Sequence, residues 1–264
     1  MKKLTTKNIR KLKSSNLQML TCYDYQMATL LDQTDLDMIL VGDSVGNVVL
    51  GFDTTVEVNL DHMKMFGLAV RKGAPNKFLI IDMPFGTYST LEEGLKNAIS
   101  LFQETRADAI KIEASNKTNN QLIERLVQIG IPVMGHIGLT PQLIHEMGGY
   151  FKHGKTQNEA EVLLNSALEL EKSGCFSIVL ECIDEKVSEL ITSSLAIPTI
   201  GIGSGIKVDG QVLVINDLLK NGADNPPSFC RPMIDLFDIK KEVITSYIDL
   251  QKGRDESKSE FIHN

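Results

Sequence analysis

The strongest constraint on the fold is a recurring pattern in which a short apolar run ends in an ionisable or polar residue. Met38–Val41 shows it first, since Gly42, Asp43 and Ser44 follow it directly. Such runs are typical of strands buried on both faces of a parallel sheet, and chemistry in these folds lies where the strands end. The pattern therefore predicts one shared site at the C-terminal ends of the strands. The other instances are Phe78–Ile81 before Asp82, Ala109–Ile112 with Lys111 inside it and Glu113 after it, Pro132–Gly135 before His136, and Ser177–Leu180 before Glu181.

The whole chain alternates predicted strands with segments of helical spacing. Further strands are predicted at Leu17–Cys22, Pro198–Ile202 and Gln211–Ile215, which makes eight in all. Eight alternating strands favour a closed (β/α)8 barrel, and a chain of 264 residues matches the usual size of one. An open doubly wound sheet is the alternative, because the separations between strands are uneven. Residues 1–264 are interpreted as a single α/β barrel domain, with a frayed charged tail over residues 252–264.

Residues 1–13 are strongly basic and contain no acidic side chain. They lack the apolar core of a secretory signal, and they are rich in lysine rather than in arginine, unlike an organellar targeting peptide. Because the segment runs almost directly into the first predicted strand, it is interpreted as a short helix that precedes strand one.

Charge and apolar content limit the kinds of partner. A formal net charge of −7 argues against a general nucleic-acid binder, whose phosphate contacts favour a basic surface. Apolar residues make up 42% of the chain, but no apolar run reaches the length that crosses a bilayer. We therefore expect neither a nucleic-acid partner nor a membrane partner.

The cysteines, Cys22, Cys175, Cys182 and Cys230, have neither paired metal-ligand spacing nor the density of a disulfide framework. This pattern fits a reducing, cytoplasmic setting. Cys182 follows Glu181 and is a candidate nucleophile, but strand alternation would point it away from the site. The favoured interpretation is a buried, unreactive thiol.

Asp43, Asp82 and Glu113 would bring hard oxygen ligands together from adjacent strand ends. Their mutual repulsion would be costly without a cation, and oxygen-only ligation suits Mg²⁺ better than Zn²⁺. Because Mg²⁺ usually takes only one or two protein carboxylates directly, one of the three is free to act through water. The alternative is that each caps the helix that follows it.

Lys111 and Glu113 are two residues apart, so both lie on the same face of their strand. A lysine inside a barrel needs carboxylates or an anionic ligand, and nearby acids should keep its pKa high, which favours electrostatic binding over a Schiff base. Glu181 ends a wholly apolar strand and is the candidate general base, with a pairing to Lys111 as the alternative. His136 is either a substrate hydrogen-bonding group or a core histidine.

Two glycine-rich segments have weaker signals. Residues 138–157 form a long loop that is too polar and glycine-rich to be core, and such a loop is usually functional or mobile. The run from Ile200 to Gly205 does not have the spacing of a dinucleotide-binding fingerprint. Glycines after strand seven of a barrel can hold a phosphate, but close strand packing explains them equally well.

The chain resembles the ketopantoate hydroxymethyltransferase family over residues 20–214. After strand eight the resemblance thins, and residues 221–232 depart from it. Several matching motifs are long and occur in the family's order, so chance similarity is improbable. The motifs are LTCYDY, MILVGDSVGNVVLGFDTT, RKGAP, DMPFGTY, IKIEAS, PVMGHIGLTPQ, GGY, VLECI, IPTIGIGSG and DGQVLV.

The resemblance implies a (β/α)8 barrel that assembles as a homodecamer and binds Mg²⁺ and a 2-oxo acid at the C-terminal ends of the strands. Carried over motif by motif, Asp43 and Asp82 resemble ligands of both metal and substrate, and Glu113 resembles a further metal-site carboxylate. Ser44 and Lys111 would bind the substrate. Glu181 would be the proton acceptor, and His136 would lie beside the bound substrate.

The implied reaction transfers a one-carbon unit from 5,10-methylenetetrahydrofolate to 3-methyl-2-oxobutanoate and forms 2-dehydropantoate, on the route to pantothenate and coenzyme A. Mg²⁺ would stabilise the enolate. One alternative is another Mg²⁺-dependent oxo-acid barrel, of the isocitrate lyase or phosphoenolpyruvate mutase kind. The other is a non-catalytic protein that binds the oxo acid.

Overall fold

The computed structural model describes residues 3–113, 116–149 and 151–252. Its parallel strands close into one barrel in chain order, with β8 paired to β1. The closed barrel predicted from the sequence is confirmed, and the open sheet is excluded. The strands are β1 Leu17–Thr21, β2 Met38–Val41, β3 Phe78–Asp82, β4 Ala109–Glu113, β5 Val133–Gly138, β6 Ser177–Glu181, β7 Thr199–Ile202 and β8 Gly210–Leu213.

Helices alternate with the strands along the chain. A short helix does precede β1, as the basic N-terminal segment predicted, and Thr5 begins it by accepting a hydrogen bond from the N–H of Asn8. The helices are α1 Thr6–Lys11, α2 Tyr25–Asp32, α3 Leu60–Gly73, α4 Leu91–Thr105, α5 Lys117–Gln128, α6 Ile144–Met147, α7 Gln157–Lys172, α8 Glu185–Ser194, α9 Ile215–Leu218 and α10 Leu236–Gln251.

Strand eight is shorter than predicted. The sequence indicated Gln211–Ile215, but the pairing of β8 with β1 ends at Leu213, and Ile215 begins a short helix. Strand seven begins at Thr199 rather than at Pro198. Both differences are at strand ends, where the local apolar pattern does not distinguish a paired residue from an unpaired one.

The barrel interior follows the two-residue alternation of the strands. Ile80, Ala109, Met134 and Val179 belong to the buried apolar cluster that fills the barrel, which also includes Ile9 of α1. On the same strands, the next inward positions toward the C-terminal ends carry polar side chains. The same inward-facing positions of the strands therefore provide the apolar core and, nearer the C-terminal ends, the polar site.

The chain divides into two compact units, and the division falls between Val214 and Ile215. The first unit contains all the strands of the barrel, and the second contains α9 and α10. The interpretation of residues 1–264 as a single domain stays a prediction. Apart from Lys252, the predicted frayed tail lies outside the described residues. In the part of the chain that the structure describes, no helix is long and apolar enough to cross a membrane.

Candidate active site

The ionisable residues predicted from the strand ends do lie together. In register, Asp82 of β3 is next to Lys111 of β4, and Glu113 of β4 is next to His136 of β5. Asp43 follows β2, and its N–H donates to Asp82 Oδ2 at 3.1 Å. These five residues are buried, whereas the side chain of Glu181 at the end of β6 keeps 18% exposure.

Lys111 is the positive centre of this cluster. Its Nζ lies 3.1 Å from Asp82 Oδ1 and 3.1 Å from His136 Nδ1. Burial alone would lower the pKa of Lys111, but the charges of Asp82, Glu113 and Asp43 outweigh it and raise the pKa above its ordinary value. The predicted direction is confirmed. Because the ammonium stays protonated, Lys111 offers charge and hydrogen bonds rather than a nucleophilic amine. It also neutralises part of the carboxylate repulsion, which the sequence argument had assigned to a cation.

His136 is a neutral side chain between Lys111 and Glu181. Burial and the Lys111 charge both lower the pKa of His136. Because an ammonium has only donors, the Lys111 contact assigns His136 Nδ1 as the acceptor and leaves the ring proton on Nε2. Nε2 is 3.3 Å from Glu181 Oε2 but makes no hydrogen bond with it. The imidazole N–H is therefore directed to the neighbourhood of the candidate base.

The three carboxylates share a desolvated environment. Burial raises the pKa of Asp82 to about 7, although the Lys111 charge opposes the shift. Burial likewise raises the pKa of Asp43, and burial together with the Asp43 charge raises the pKa of Glu113 well above its ordinary value. Glu113 Oε1 is buried without a hydrogen-bond partner, and buried Asp82 Oδ1 has the ion pair with Lys111 Nζ but no hydrogen bond. Such incompletely satisfied acceptors are costly, so the cluster suits a cation or a ligand that would occupy them.

The donor set fits Mg²⁺ in a limited way. Within residues 3–113, 116–149 and 151–252, no three His, Cys, Asp or Glu side chains are arranged to hold a metal ion by themselves. Mg²⁺ usually binds through one or two carboxylates and completes its octahedron with water and substrate oxygens. Asp43 and Asp82 are adjacent and provide two such carboxylates, and Asp82 Oδ1, which has an ion pair with Lys111 but no hydrogen bond, keeps acceptor capacity.

Ser44 is held beside the cluster by a tyrosine that the sequence argument missed. Its Oγ is 2.8 Å from the hydroxyl of Tyr23, and burial raises the pKa of Tyr23. A Cβ on Gly42 would meet Ser44 Oγ at 3.0 Å and Asp82 Oδ2 at 3.4 Å, so glycine leaves room for both polar groups. Tyr23 lies just beyond the C-terminal end of β1. The pattern of a polar residue directly after an apolar strand, which identified the other site residues, could therefore have identified Tyr23 as well.

The first part of the loop after β5 is buried and much of its second part is exposed, so the prediction that the loop is too polar to be core was wrong for the first part alone. Pro141 begins a short 3-10 turn, and Gln142 within it is buried against the carboxylates. Gln142 Nε2 donates to Asp43 Oδ2 at 2.9 Å, and the Gln142 N–H donates to Glu113 Oε2 at 3.3 Å. Gln142 is buried because its polar groups find partners in the site, which local composition does not reveal.

Glu181 and Cys182 are adjacent, but only Glu181 contacts the cluster. Lys111 pairs with Asp82 rather than with Glu181, so the alternative pairing is not observed. Cys182 adopts a left-handed backbone with φ of 50° and is half-buried rather than buried as expected. Burial and the Glu181 charge raise the pKa of Cys182 to about 11, so its thiol is not a nucleophile at neutral pH.

The glycine run after β7 has a packing role. Ser204 is fully buried, and its Oγ donates to Leu180 O at 2.7 Å and accepts from the Ile183 N–H at 3.0 Å. These bonds tie the end of β7 to β6. A Cβ on Gly201 would meet Val208 Cγ2 at 2.9 Å, so close packing requires glycine at this position.

A cavity of about 490 Å³ lies beside β5, between the loop that follows it and the N-terminal half of α7. Ile137, Leu143 and His153 are among its lining residues. None of the predicted site residues lines it. Because Ile137 alternates with the inward His136, this cavity faces the helical layer and not the barrel interior.

The fold and the site define a class: (β/α)8 barrels with a buried lysine–carboxylate cluster at the C-terminal ends of the strands. Within it, this chain belongs to the ketopantoate hydroxymethyltransferase family, because the model of that family matches residues 3–255.

Curated relatives are similar in sequence to this protein over nearly its whole length. A 3-methyl-2-oxobutanoate hydroxymethyltransferase from Thermotoga maritima is 46% identical over 252 residues, which is 93% of this chain and 93% of that protein. One from an Exiguobacterium species is 45% identical over 238 residues, which is 90% of this chain and 86% of that protein. Among solved structures, phosphonopyruvate hydrolase in complex with oxalate and Mg²⁺ superposes with a TM-score of 0.59 at 9% identity, covering 93% of this chain and 98% of that one. The last likeness supports the fold alone.

Proposed function

We propose that this protein is a 3-methyl-2-oxobutanoate hydroxymethyltransferase, which transfers a one-carbon unit from 5,10-methylenetetrahydrofolate to 3-methyl-2-oxobutanoate and forms 2-dehydropantoate. The observation that carries the proposal is the convergence of a protonated Lys111, three buried carboxylates and the His136–Glu181 pair in one barrel mouth. This arrangement suits the binding of an anionic oxo acid and the removal of a proton from it. The names of the relatives supply the substrate class.

Lys111 and Ser44 bind the substrate in this proposal. The Lys111 ammonium offers charge and three donors. His136 Nδ1 uses one of them, and the ion pair with Asp82 Oδ1 does not have hydrogen-bond geometry, so donors remain for a carboxylate or carbonyl oxygen of the oxo acid. The Ser44 hydroxyl donates a second hydrogen bond while Tyr23 holds its orientation. Together they would set the oxo acid in a single pose.

Asp43 and Asp82 would hold Mg²⁺, with Glu113 as a further carboxylate of the metal site. When bound, Mg²⁺ polarises a carbonyl group and stabilises negative charge on its oxygen. Asp43, Asp82 and His136 would also contact the substrate. The unsatisfied oxygens of Asp82 and Glu113 support this assignment, because each is a buried acceptor with remaining capacity.

Glu181 is the proposed proton acceptor. It is the most accessible carboxylate of the cluster, and a base must reach the C3 hydrogen of a bound substrate. The neutral His136 N–H beside Glu181 Oε2 would orient the carboxylate before it accepts the proton. The C3–H bond breaks as Glu181 accepts the proton, and the electron pair of that bond becomes the C2–C3 double bond of the enolate. C3 of the enolate then forms the new bond to the one-carbon unit of the folate, and Glu181 passes its proton to a folate nitrogen.

The remaining steps need no covalent enzyme intermediate. Both bonds from the methylene carbon to the folate nitrogens break, and that carbon forms one bond to C3 and one to the oxygen of water. One nitrogen takes a proton from the water and the other takes the proton from Glu181, so tetrahydrofolate is released and the base is regenerated. A charged Lys111 supports this non-covalent course, because a Schiff base requires the neutral amine.

We also propose that the chain works in the cytoplasm and assembles as a homodecamer, as the family resemblance implies. The character of α10 supports assembly, since Val243, Ile244 and Tyr247 are large apolar side chains that are more than half exposed. Contiguous apolar surface of this kind marks association sites. Sedimentation of the purified protein tests the assembly, and a monomer at micromolar concentration would contradict it.

The proposed function is tested by ¹H NMR of 3-methyl-2-oxobutanoate in D₂O with the protein and Mg²⁺. We expect the C3 proton signal to disappear without folate, and 2-dehydropantoate to form when 5,10-methylenetetrahydrofolate is added. Exchange without the folate-dependent product would favour another oxo-acid barrel enzyme. Binding of the oxo acid without exchange would favour a non-catalytic binding protein.

A further inference from the structure

Gln142 is the residue through which the loop after β5 enters the site. Its side chain is 4% exposed and makes three hydrogen bonds. Nε2 donates to Asp43 Oδ2 at 2.9 Å and to the carbonyl of Met83 at 2.9 Å, while Oε1 accepts from the hydroxyl of Tyr88 at 2.5 Å. Both amide N–H groups are therefore used inside the site.

The partners leave only one orientation for the amide. The Met83 carbonyl only accepts, and so does an ionised Asp43, so the Gln142 NH₂ must face them. The Tyr88 hydroxyl then donates to the amide oxygen. An amide that is fixed at both ends holds the carboxylate it contacts more firmly than one that is free to rotate.

The Gln142 backbone reaches a second carboxylate. Its N–H donates to Glu113 Oε2 at 3.3 Å, so one residue provides neutral donors to Asp43 and Glu113 together. Asp43 and Glu113 are buried and carry like charges. Hydrogen bonds from neutral donors stabilise both carboxylates without adding another charge to the site.

We propose that Gln142 is a positioning residue: it fixes the orientation of the Asp43 carboxylate, and it thereby determines which Asp43 oxygen is available to a cation and an oxo acid. This inference rests on the proposed function. The torsion that rotates an aspartate carboxylate is broad and weakly constrained, so an external partner must fix it. With Oδ2 engaged by the amide, Oδ1 is the oxygen left for another partner.

Gln142→Met is the principal variant, because methionine has a similar length but neither the donors nor the acceptor. Mg²⁺ is titrated into the protein by isothermal calorimetry in the presence of 3-methyl-2-oxobutanoate, alongside the wild type. We expect the Kd for Mg²⁺ to rise roughly 10- to 100-fold, which is the usual effect of removing the partner of a metal-binding residue.

Two companion variants separate positioning from general stability. Tyr88→Phe releases the far end of the amide and keeps the donors to Asp43, so we expect a smaller rise in Kd, about threefold. Thr105→Val removes a buried hydrogen bond to the Leu101 carbonyl in α4, away from the site. It should lower the melting temperature and leave the Kd unchanged.

The outcomes distinguish this inference from the function on which it rests. A Kd in Gln142→Met within twofold of the wild type would overturn the inference, even if the melting temperature fell. If Gln142→Met does not fold, as judged by circular dichroism, Tyr88→Phe decides the matter, and an unchanged Kd there overturns it. A wild type that binds neither Mg²⁺ nor oxo acid would instead refute the proposed function, and the inference with it.

Discussion

Buried charged groups are fully hydrogen-bonded at the N-terminal end of the barrel and incompletely hydrogen-bonded at its C-terminal end. At the N-terminal end, Asp209 accepts from Lys13 Nζ at 3.0 Å, from the Ser14 N–H at 2.8 Å and from the Thr199 N–H at 2.9 Å. At the C-terminal end, Glu113 Oε1 is buried without a hydrogen bond, and Asp82 Oδ1 is buried with the ion pair to Lys111 as its contact and no hydrogen bond.

The same contrast extends to other residues at the N-terminal end. Asp108 accepts from Arg71 at 2.5 Å and from the Leu79 N–H at 2.9 Å, and Lys77 Nζ donates to the carbonyls of Thr34 and Leu36. Groups that are fully paired contribute to the stability of the fold. Groups that are buried but incompletely paired raise one another's pKa and are typical of sites that a ligand completes. The difference in hydrogen bonding therefore indicates that the functional site is at the C-terminal end of the barrel, whatever ligand binds there.

The largest effect that would test this contrast is expected at Glu181. Glu181→Gln keeps the shape and some hydrogen bonding but is a far weaker base, so C3 proton exchange and turnover should fall by about 10² to 10⁴. Binding of the oxo acid should persist. Deuterium exchange followed by NMR measures the loss. If exchange stays near wild type while product formation falls, Glu181 acts after enolisation, and His136 becomes the first candidate base.

Asp82→Asn and Asp43→Asn should lose Mg²⁺ affinity by at least about tenfold while the fold survives. Each change removes a charge that repels the neighbouring carboxylates but attracts Lys111, and these opposing effects offset each other, so the unfolding free energy should change by less than about 1 kcal/mol. Calorimetric titration with Mg²⁺ and oxo acid, together with urea unfolding, provides both numbers. Unchanged Mg²⁺ affinity in both variants would remove these residues from the metal site.

Asp209→Asn makes the same chemical change at the opposite end and should give the opposite result. The new NH₂ faces donors, so we expect the unfolding free energy to fall by about 2 kcal/mol with exchange activity retained. The ion pair with Lys13 contributes little of this, because the lysine side chain is 26% exposed. Urea unfolding compares the variant with Asp82→Asn. Equal stability losses in the two variants would mean that the ends of the barrel do not differ as described.

The last prediction concerns Lys111 and expects no change in the mass of the protein. Because neighbouring carboxylates favour the charged form of Lys111, treatment with borohydride in the presence of the oxo acid should leave the protein unmodified. Intact-mass spectrometry checks this. A reduced adduct at Lys111 would replace the non-covalent course with a Schiff base.

A large part of this fold and site follows from the sequence alone. Alternation with a period of two is a local property, and it correctly placed Asp82, Lys111 and Glu113 on the inner face of the barrel. Apolar runs at strand spacing predicted the closed barrel, and the basic segment before β1 predicted α1. Each of these conclusions depends on residues that are close together in the chain.

The tertiary structure decided which polar groups meet. Lys111 pairs with Asp82 and His136 rather than with Glu181, because strand register sets the depth of each side chain in the barrel. Gln142 enters the site from a loop whose composition indicated solvent, since the carboxylates that bury it come from strands far away in the chain. Periodicity reveals which face a residue occupies, whereas contact between distant segments depends on the path of the loops, and no local pattern encodes that path.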